Sequence, residues 1–337
     1  MSFLIPASRI VGQAVTSSPQ TSAPPGAMTV QAAHDKIKHG QEKEAIDALH
    51  RLVSEQPPAL GANRELGIAY YRIGKLADAE SSFASAMKDD PRDMESVQMR
   101  GLTLYRLGRP SDALAYLERA RQWANATDVD ANYVLGRCYV SAHRYNDART
   151  AFATQYNLTP ESGAAYLLIS QMLLLQELPD FAKDNAEKAL QLSPNIALAH
   201  FVLGKIYLAK GDLKHALEQF EQERTINPTY SPLYQFLGDV YVKSGEHSKA
   251  QHVLTEALSL DQSNTGPFID MGRLFLESND PQTAASYLQH AEQMDSSNFI
   301  THYLLAQAYR QLGKTDDAKR ELDAVSKLHS GDDKPLQ

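Results

Sequence analysis

The sequence predicts an all-α fold, an α-solenoid of about nine helix–turn–helix repeats. Three observations carry that prediction. Small residues return with a 34-residue period along the 337-residue chain. Apolar places follow each small residue at fixed offsets. Glycine-bearing turns and prolines then punctuate the period where a helix has to end.

The small place is Gly67, Gly101, Gly136, Gly204, Gly238 and Gly272, with Ser170 and Ala306 completing the series. The intervals are 34, 35, 34, 34, 34, 34 and 34. Three residues later comes Tyr70, Leu104, Tyr139, Leu173, Tyr207, Tyr241, Phe275 or Tyr309. Twelve later comes Ala79, Ala113, Ala148, Ala182, Ala216, Ala250, Ala284 or Ala318. Sixteen later comes Phe83, Leu117, Phe152, Ala186, Phe220, Leu254, Leu288 or Leu322. Small side chains let two helices approach closely, and the larger ones fill the space that remains. Between the two halves, Gly74, Gly108, Gly211, Gly245 and Gly313 can take the left-handed conformation that ends a helix. Pro91, Pro160, Pro194 and Pro228 cannot continue a helix and stop the second one.

Each unit is therefore predicted as two antiparallel helices of about a dozen residues. One such pair cannot bury its own apolar face, but a stack of pairs can. In chain order the reading gives a tail over 1–25 and a weak first unit over 26–59, carried by Ala33, Gly40, Ala45, Leu49 and Pro57. Eight units follow: 60–93, 94–127, 129–162, 163–196, 197–230, 231–264, 265–298 and 299–332. Residues 333–337 are a second tail. Ser170, Glu177 and Ala186 make the 163–196 unit atypical, and one extra residue sits near Asp128.

This phase, held over eight copies, resembles the tetratricopeptide repeat family. The resemblance covers some nine tenths of the chain. It implies a right-handed superhelix whose first helices leave one side free, with repeat positions 2, 5, 9, 12 and 13 lining a groove that holds a partner. At those places stand Arg64, Tyr133, Leu167, Phe201 and Tyr303 (position 5), Arg137, Lys205 and Arg273 (position 9), Arg310 (position 12), and Arg72 and Arg106 (position 13). Over the 40 places the count is eight basic residues against four acidic ones, Glu95, Asp130, Asp239 and Glu277. The groove is then +4 in a chain of −8, a segregation that favours a partner with acidic groups. In the middle, Leu167, Leu174, Leu175, Leu198, Phe201 and Leu208 are expected to form an apolar floor, and such patches mark interaction sites. The competing reading is that Tyr71, Tyr105 and Leu174 are ordinary packing. The 40 places hold no asparagine, so the family's clamp for a C-terminal carboxylate is not expected.

Composition narrows the function classes. A net charge of −8 argues against nucleic acid as the main partner. No apolar run approaches the roughly 20 residues of a membrane span. One cysteine, Cys138, excludes an intrachain disulfide and reads as a buried hydrophobe rather than a nucleophile. The start "MSFLIPASRIVGQA" has two readings. One is a disordered tail, and the other is the stub of an export signal with its cleavage site near "VGQA". The compartment, cytoplasmic or exported, stays open with it.

Motifs for chemistry fail. "AYRQLGKT", Ala308–Thr315, lacks the first glycine of a phosphate-binding loop, and its Lys314 follows a helix-ending glycine. No His-Glu-x-x-His pair occurs. His143, His200 and His302 read as packing or surface residues, and Asp89, Asp90, Asp316 and Asp317 as turn and cap residues. No catalytic residue, metal or cofactor is expected. The reading is a non-enzymatic scaffold or adaptor that holds a protein or peptide with acidic groups. The alternatives are a self-associating protein with a homodimer seam at 163–230, or an accessory subunit of a multi-protein enzyme complex.

Overall fold

The structure, a computed structural model, describes residues 29–121 and 131–332. The expected tails at 1–25 and 333–337, the export-signal reading, the extra residue near Asp128 and the groove place Asp130 lie outside the described residues. Backbone packing divides the chain into two compact units, Met1–Ala126 and Thr127–Gln337. The described residues of both are helices joined by turns, without a strand.

In the first unit, α1 (Val30–Lys38), α2 (Glu42–Val53), α3 (Ala62–Arg72), α4 (Leu76–Asp89), α5 (Met94–Arg106) and α6 (Pro110–Ala120) follow one another. The second unit runs through α7 (Ala131–Ser141), α8 (Tyr145–Gln155), α9 (Gly163–Leu175), α10 (Pro179–Leu192), α11 (Ala199–Ala209) and α12 (Leu213–Ile226). It continues with α13 (Ser231–Lys243), α14 (His247–Leu260), α15 (Thr265–Glu277), α16 (Pro281–Met294), α17 (Phe299–Gln311) and α18 (Thr315–Asp332). Within each unit every helix packs on the next. Consecutive first helices also touch, α3 between α1 and α5, and α9, α11, α13, α15 and α17 in series. This is the helical-repeat solenoid the period predicts.

The periodic residues do the packing assigned to them, except Leu322, which is 37% exposed on α18. A Cβ added at Gly67, Gly136 or Gly204 would lie 2.4–2.6 Å from the ring of Phe83, Phe152 or Phe220, sixteen residues on. Gly101, Gly238 and Gly272 stand in the same relation to Leu117, Leu254 and Leu288. The alanine place is fully buried from Ala79 to Ala284, and Ala318 is 3% exposed. The atypical unit keeps this geometry with other chemistry. Ser170 replaces the glycine, its hydroxyl donates to the Ala182 carbonyl at 2.6 Å, and Ala186 stands where the ring would clash.

Helix ends follow the sequence. Thr29, Asp93, Ser162, Asp212, Asn264, Asp280 and Asn298 each accept a backbone N–H in the first turn of the helix they cap. Pro110, Pro179 and Pro281 open α6, α10 and α16, where a missing N–H costs nothing. Lys314 follows Gly313 in the turn between α17 and α18 and lies over the Tyr309 ring, as expected for a turn residue. No helix among the described residues is long and apolar enough to cross a membrane.

Candidate functional site

The groove places sit on the first helices, but their environments differ sharply. In the first unit, Arg64 on α3 is caged by acid. Its guanidinium lies 3.3 Å from Glu65, 3.5 Å from Asp93 and 3.4 Å from Glu95. Burial alone would loosen its proton, but Asp93, Glu95 and Glu65 outweigh that and hold its pKa above the usual value. Burial in turn pushes the Glu95 carboxyl up, against the pull of Arg64. Arg64, expected to face an acidic partner, is thus already neutralised from within. The reason is local: the acids come from its own helix and from the start of α5, which a count along position 5 does not see. Arg72 donates to the Ile37 carbonyl at 2.6 Å and lies 3.7 Å from Glu42. Arg106 donates to the Tyr71 carbonyl and stacks 4.5 Å over the Tyr71 ring.

In the second unit, Arg137 reaches the hydroxyl of Tyr133, which itself packs on Phe152 at 5.6 Å. Arg273 pairs with Asp270 at 3.4 Å. Burial pushes the Asp270 carboxyl up, opposed by the hydrogen bond from Gln235 and the charge of Arg273. Tyr303 and Arg310 are exposed on α17. Leu167 is only 8% exposed and lies in the core between helices rather than on an open floor. Burial also raises the Cys138 thiol to about 11, so it stays protonated and unreactive near neutral pH.

One place gathers several expected residues. Between α9 and α11 lies a cavity of about 310 Å³ lined by Gln171, Met172, Leu174, Leu175, Leu198, Phe201, Val202, Lys205 and Tyr230. Leu175 is 71% exposed at its rim. Phe201, 7% exposed, forms the wall, with Tyr230 edge-on at 5.1 Å and Phe236 edge-on at 5.2 Å. The Lys205 ammonium lies 5.7 Å from the Phe201 ring and 5.4 Å from the Phe236 ring. Among the described residues it pairs with no carboxylate, unlike Arg64, Arg72 and Arg273.

Residues outside the groove positions complete this pocket. Glu223, fully buried on α12, accepts the backbone N–H groups of Leu198 at 2.7 Å and Phe201 at 3.3 Å. It thereby fixes the start of α11, where Leu198 adopts a left-handed φ of 73°. Tyr230 comes from the turn before α13. A glutamate in the middle of a polar stretch and a tyrosine in a turn carry no periodic signal. The closing "NPTY" of the 197–230 unit is the single sequence cue to an aromatic there.

Comparison with known proteins bears on the fold. Family models described as Tetratricopeptide repeat match residues 30–94 and 176–231, residues 104–172 and 275–335, and residues 231–264. Cellulose synthase operon protein C of Komagataeibacter xylinus is 31% identical over 109 residues, 29% of this chain and 8% of that protein. Cellulose synthase 1 operon protein C of the same organism is 23% identical over 150 residues, 41% of this chain and 11% of that protein. The chain therefore spans about a tenth of the length of the curated relatives it matches. The crystal structure of PilW, a widely conserved type IV pilus biogenesis factor, aligns with a TM-score of 0.50 at 16% identity. That alignment covers 63% of this chain and 97% of PilW, and it shows the fold. With the repeat models covering most of the described helices, the chain belongs to the tetratricopeptide repeat family, whose repeats serve as protein–protein interaction scaffolds.

Proposed function

We propose that the chain is a non-enzymatic scaffold or adaptor that holds another polypeptide against its first helices. The anchor is an apolar side chain in the α9–α11 pocket, with an adjacent acidic group on Lys205. The observation that carries this reading is the juxtaposition of an open apolar pocket with a lysine that pairs with no carboxylate among the described residues. A cation held over aromatic faces is partly desolvated and gains most from a new anion. The other groove cations count for less, because Arg64, Arg72 and Arg273 already hold carboxylates. The acidic preference is therefore placed on Lys205, Arg106 and the exposed Arg310 rather than on every cation of the wall. A rigid array offers such a surface without having to order itself on binding, which lowers the entropic cost of association.

A displayed library of random peptides tests this. Selection on the chain should enrich sequences with a large apolar residue next to Asp or Glu. Lys205→Glu and Leu175→Asp should each weaken the selected peptides by about tenfold or more, as for other charge reversals and hot-spot losses. Enrichment without that signature, or unchanged binding in both variants, would sink the reading.

The matches to cellulose synthase operon proteins favour a second reading, an accessory subunit of a multi-protein enzyme complex. The homodimer seam at 163–230 would occupy the same pocket with a second copy. A chain that is monomeric by light scattering, while peptides still compete for the pocket, removes that option.

A further inference from the structure

Three ligating side chains meet at the end of the second unit. Glu292 stands near the end of α16, His302 in the first half of α17 and Glu321 in α18, with their ligand atoms all within 4.8 Å of one another. His302 is 5% exposed. Its Nε2 is 2.9 Å from the Ser296 carbonyl. Its Nδ1 is 2.7 Å from Glu321 Oε2 and 3.8 Å from Glu292 Oε1. A carbonyl oxygen only accepts, so Nε2 carries a hydrogen. In the neutral ring that leaves a lone pair on Nδ1. Two carboxylates, which also only accept, face that lone pair. With both acids ionised, three acceptors converge and, among the described residues, no donor stands between them; a proton, on the ring or on a carboxyl, or a metal ion completes the arrangement.

The chain carries its own reference for this place. Three repeats earlier, 102 residues back, His200 stands for His302, Gln219 for Glu321 and Leu190 for Glu292. There the His200 Nδ1 meets the neutral Gln219 Oε1 at 2.8 Å. A histidine packs at this repeat position against an amide, with a leucine at the place equivalent to Glu292, so packing requires neither carboxylate. The last repeat has anions at both places.

We propose that Glu292, His302 and Glu321 form a binding site for a divalent first-row transition ion, with zinc as the reference ion and water in its fourth position. One imidazole and two carboxylates suit such an ion, and bond lengths of ~2.0–2.2 Å place tetrahedral ligand atoms ~3.3–3.6 Å apart. The present separations of 2.7 and 3.8 Å lie on either side of that range, within reach of small side-chain adjustments. The Nε2–H bond to the Ser296 carbonyl is the outer hydrogen bond that orients a ligating imidazole. Glu292 is 34% exposed and gives the ion a path from solvent. The bound ion ties α16, α17 and α18 together.

Zinc chloride added to chelator-treated full chain tests the site by calorimetry and thermal unfolding. The expected result is one equivalent bound at micromolar or tighter affinity and a raised unfolding temperature. Glu292→Leu with Glu321→Gln installs the residues of the earlier repeat. This double variant should fold as the parent does without metal and lose the zinc-induced rise. Glu292→Gln alone, a milder change at a part-exposed position, should weaken binding by about tenfold or more, at least as much as losing a group that only orients a ligand. X-ray absorption of the zinc-loaded parent should show one imidazole nitrogen among oxygen ligands. No binding by the parent overturns the proposal. Equal binding by parent and double variant, an adventitious ion only, held by surface histidines, overturns it as well.

Discussion

At the turn closing each first helix, the backbone takes a left-handed conformation whichever residue stands there. Gly40, Gly74, Gly108, Gly211, Gly245 and Gly313 have φ between 71° and 78°. His143, Glu177 and Asn279 occupy the same repeat place with φ of 57°, 58° and 59°. A Cβ makes that region costly by about 1 kcal/mol or more, and least so for asparagine. Glu177, named from sequence as a departure, therefore does not change the turn but bears its strain. Glu177→Gly should stabilise the second unit by roughly 0.5–1 kcal/mol, less than the full strain because glycine also frees the unfolded chain. Asn279→Gly should do little. A shift of the urea midpoint at constant slope reads the gain, and no shift for Glu177→Gly would mean that the turn relaxes around the side chain. Asp270 gives a pH test. Burial raises its pKa in the folded chain despite Gln235 and Arg273. The folded state thus prefers the protonated acid. That stability is fully present below the ordinary carboxylate range and is lost as pH rises through the raised value. Asp270→Asn should match the parent in mild acid, exceed it near neutrality and flatten the decline between. Parallel stability curves would show that the hydrogen bond and Arg273 cancel the burial.

Elements were legible because their cause is periodic. A glycine at one place and a ring or leucine sixteen residues on report a single contact, repeated at Gly67, Gly101, Gly136, Gly204, Gly238 and Gly272. The compensated pair Ser170 and Ala186 shows the rule through its exception. When the small residue gains a hydroxyl, the ring opposite shrinks to a methyl, and the hydroxyl finds the Ala182 carbonyl. The turns were legible for the same reason, since Gly245 acts within a few residues of itself, whereas the caps Asp93 and Asn298 emerge from the structure. The pocket was half legible. Leu174, Leu175, Leu198, Phe201 and Lys205 follow from helix spacing, whereas Tyr230 enters from a turn, and Glu223 holds the start of α11 from a second-helix position, neither of which a groove count includes.

Across the second unit, what sequence could not show is how charges pair between helices, as Arg224 does with Glu256 and as Glu321 and Glu292 do with His302 across three. Packing is different, because each helix pair meets chiefly its neighbours in the chain. Stability in such an array is close to a sum of unit and nearest-neighbour contributions. A defect should then spread by proximity. A Cβ at Gly204 would come within 2.4 Å of the Phe220 ring, itself fully buried, so Gly204→Leu overpacks the α11–α12 contact. The expected loss is roughly 1–3 kcal/mol, as at other overfilled sites. Hydrogen exchange should show the largest loss of protection in α11 and α12 and a smaller one in α10 and α13, with α17 and α18 near the parent level. Equal loss from α7 to α18 would mean that the second unit opens as one cooperative block. No loss anywhere would mean that Phe220 can leave its seat without cost, and the close approach at Gly204 would not be what sets the pair.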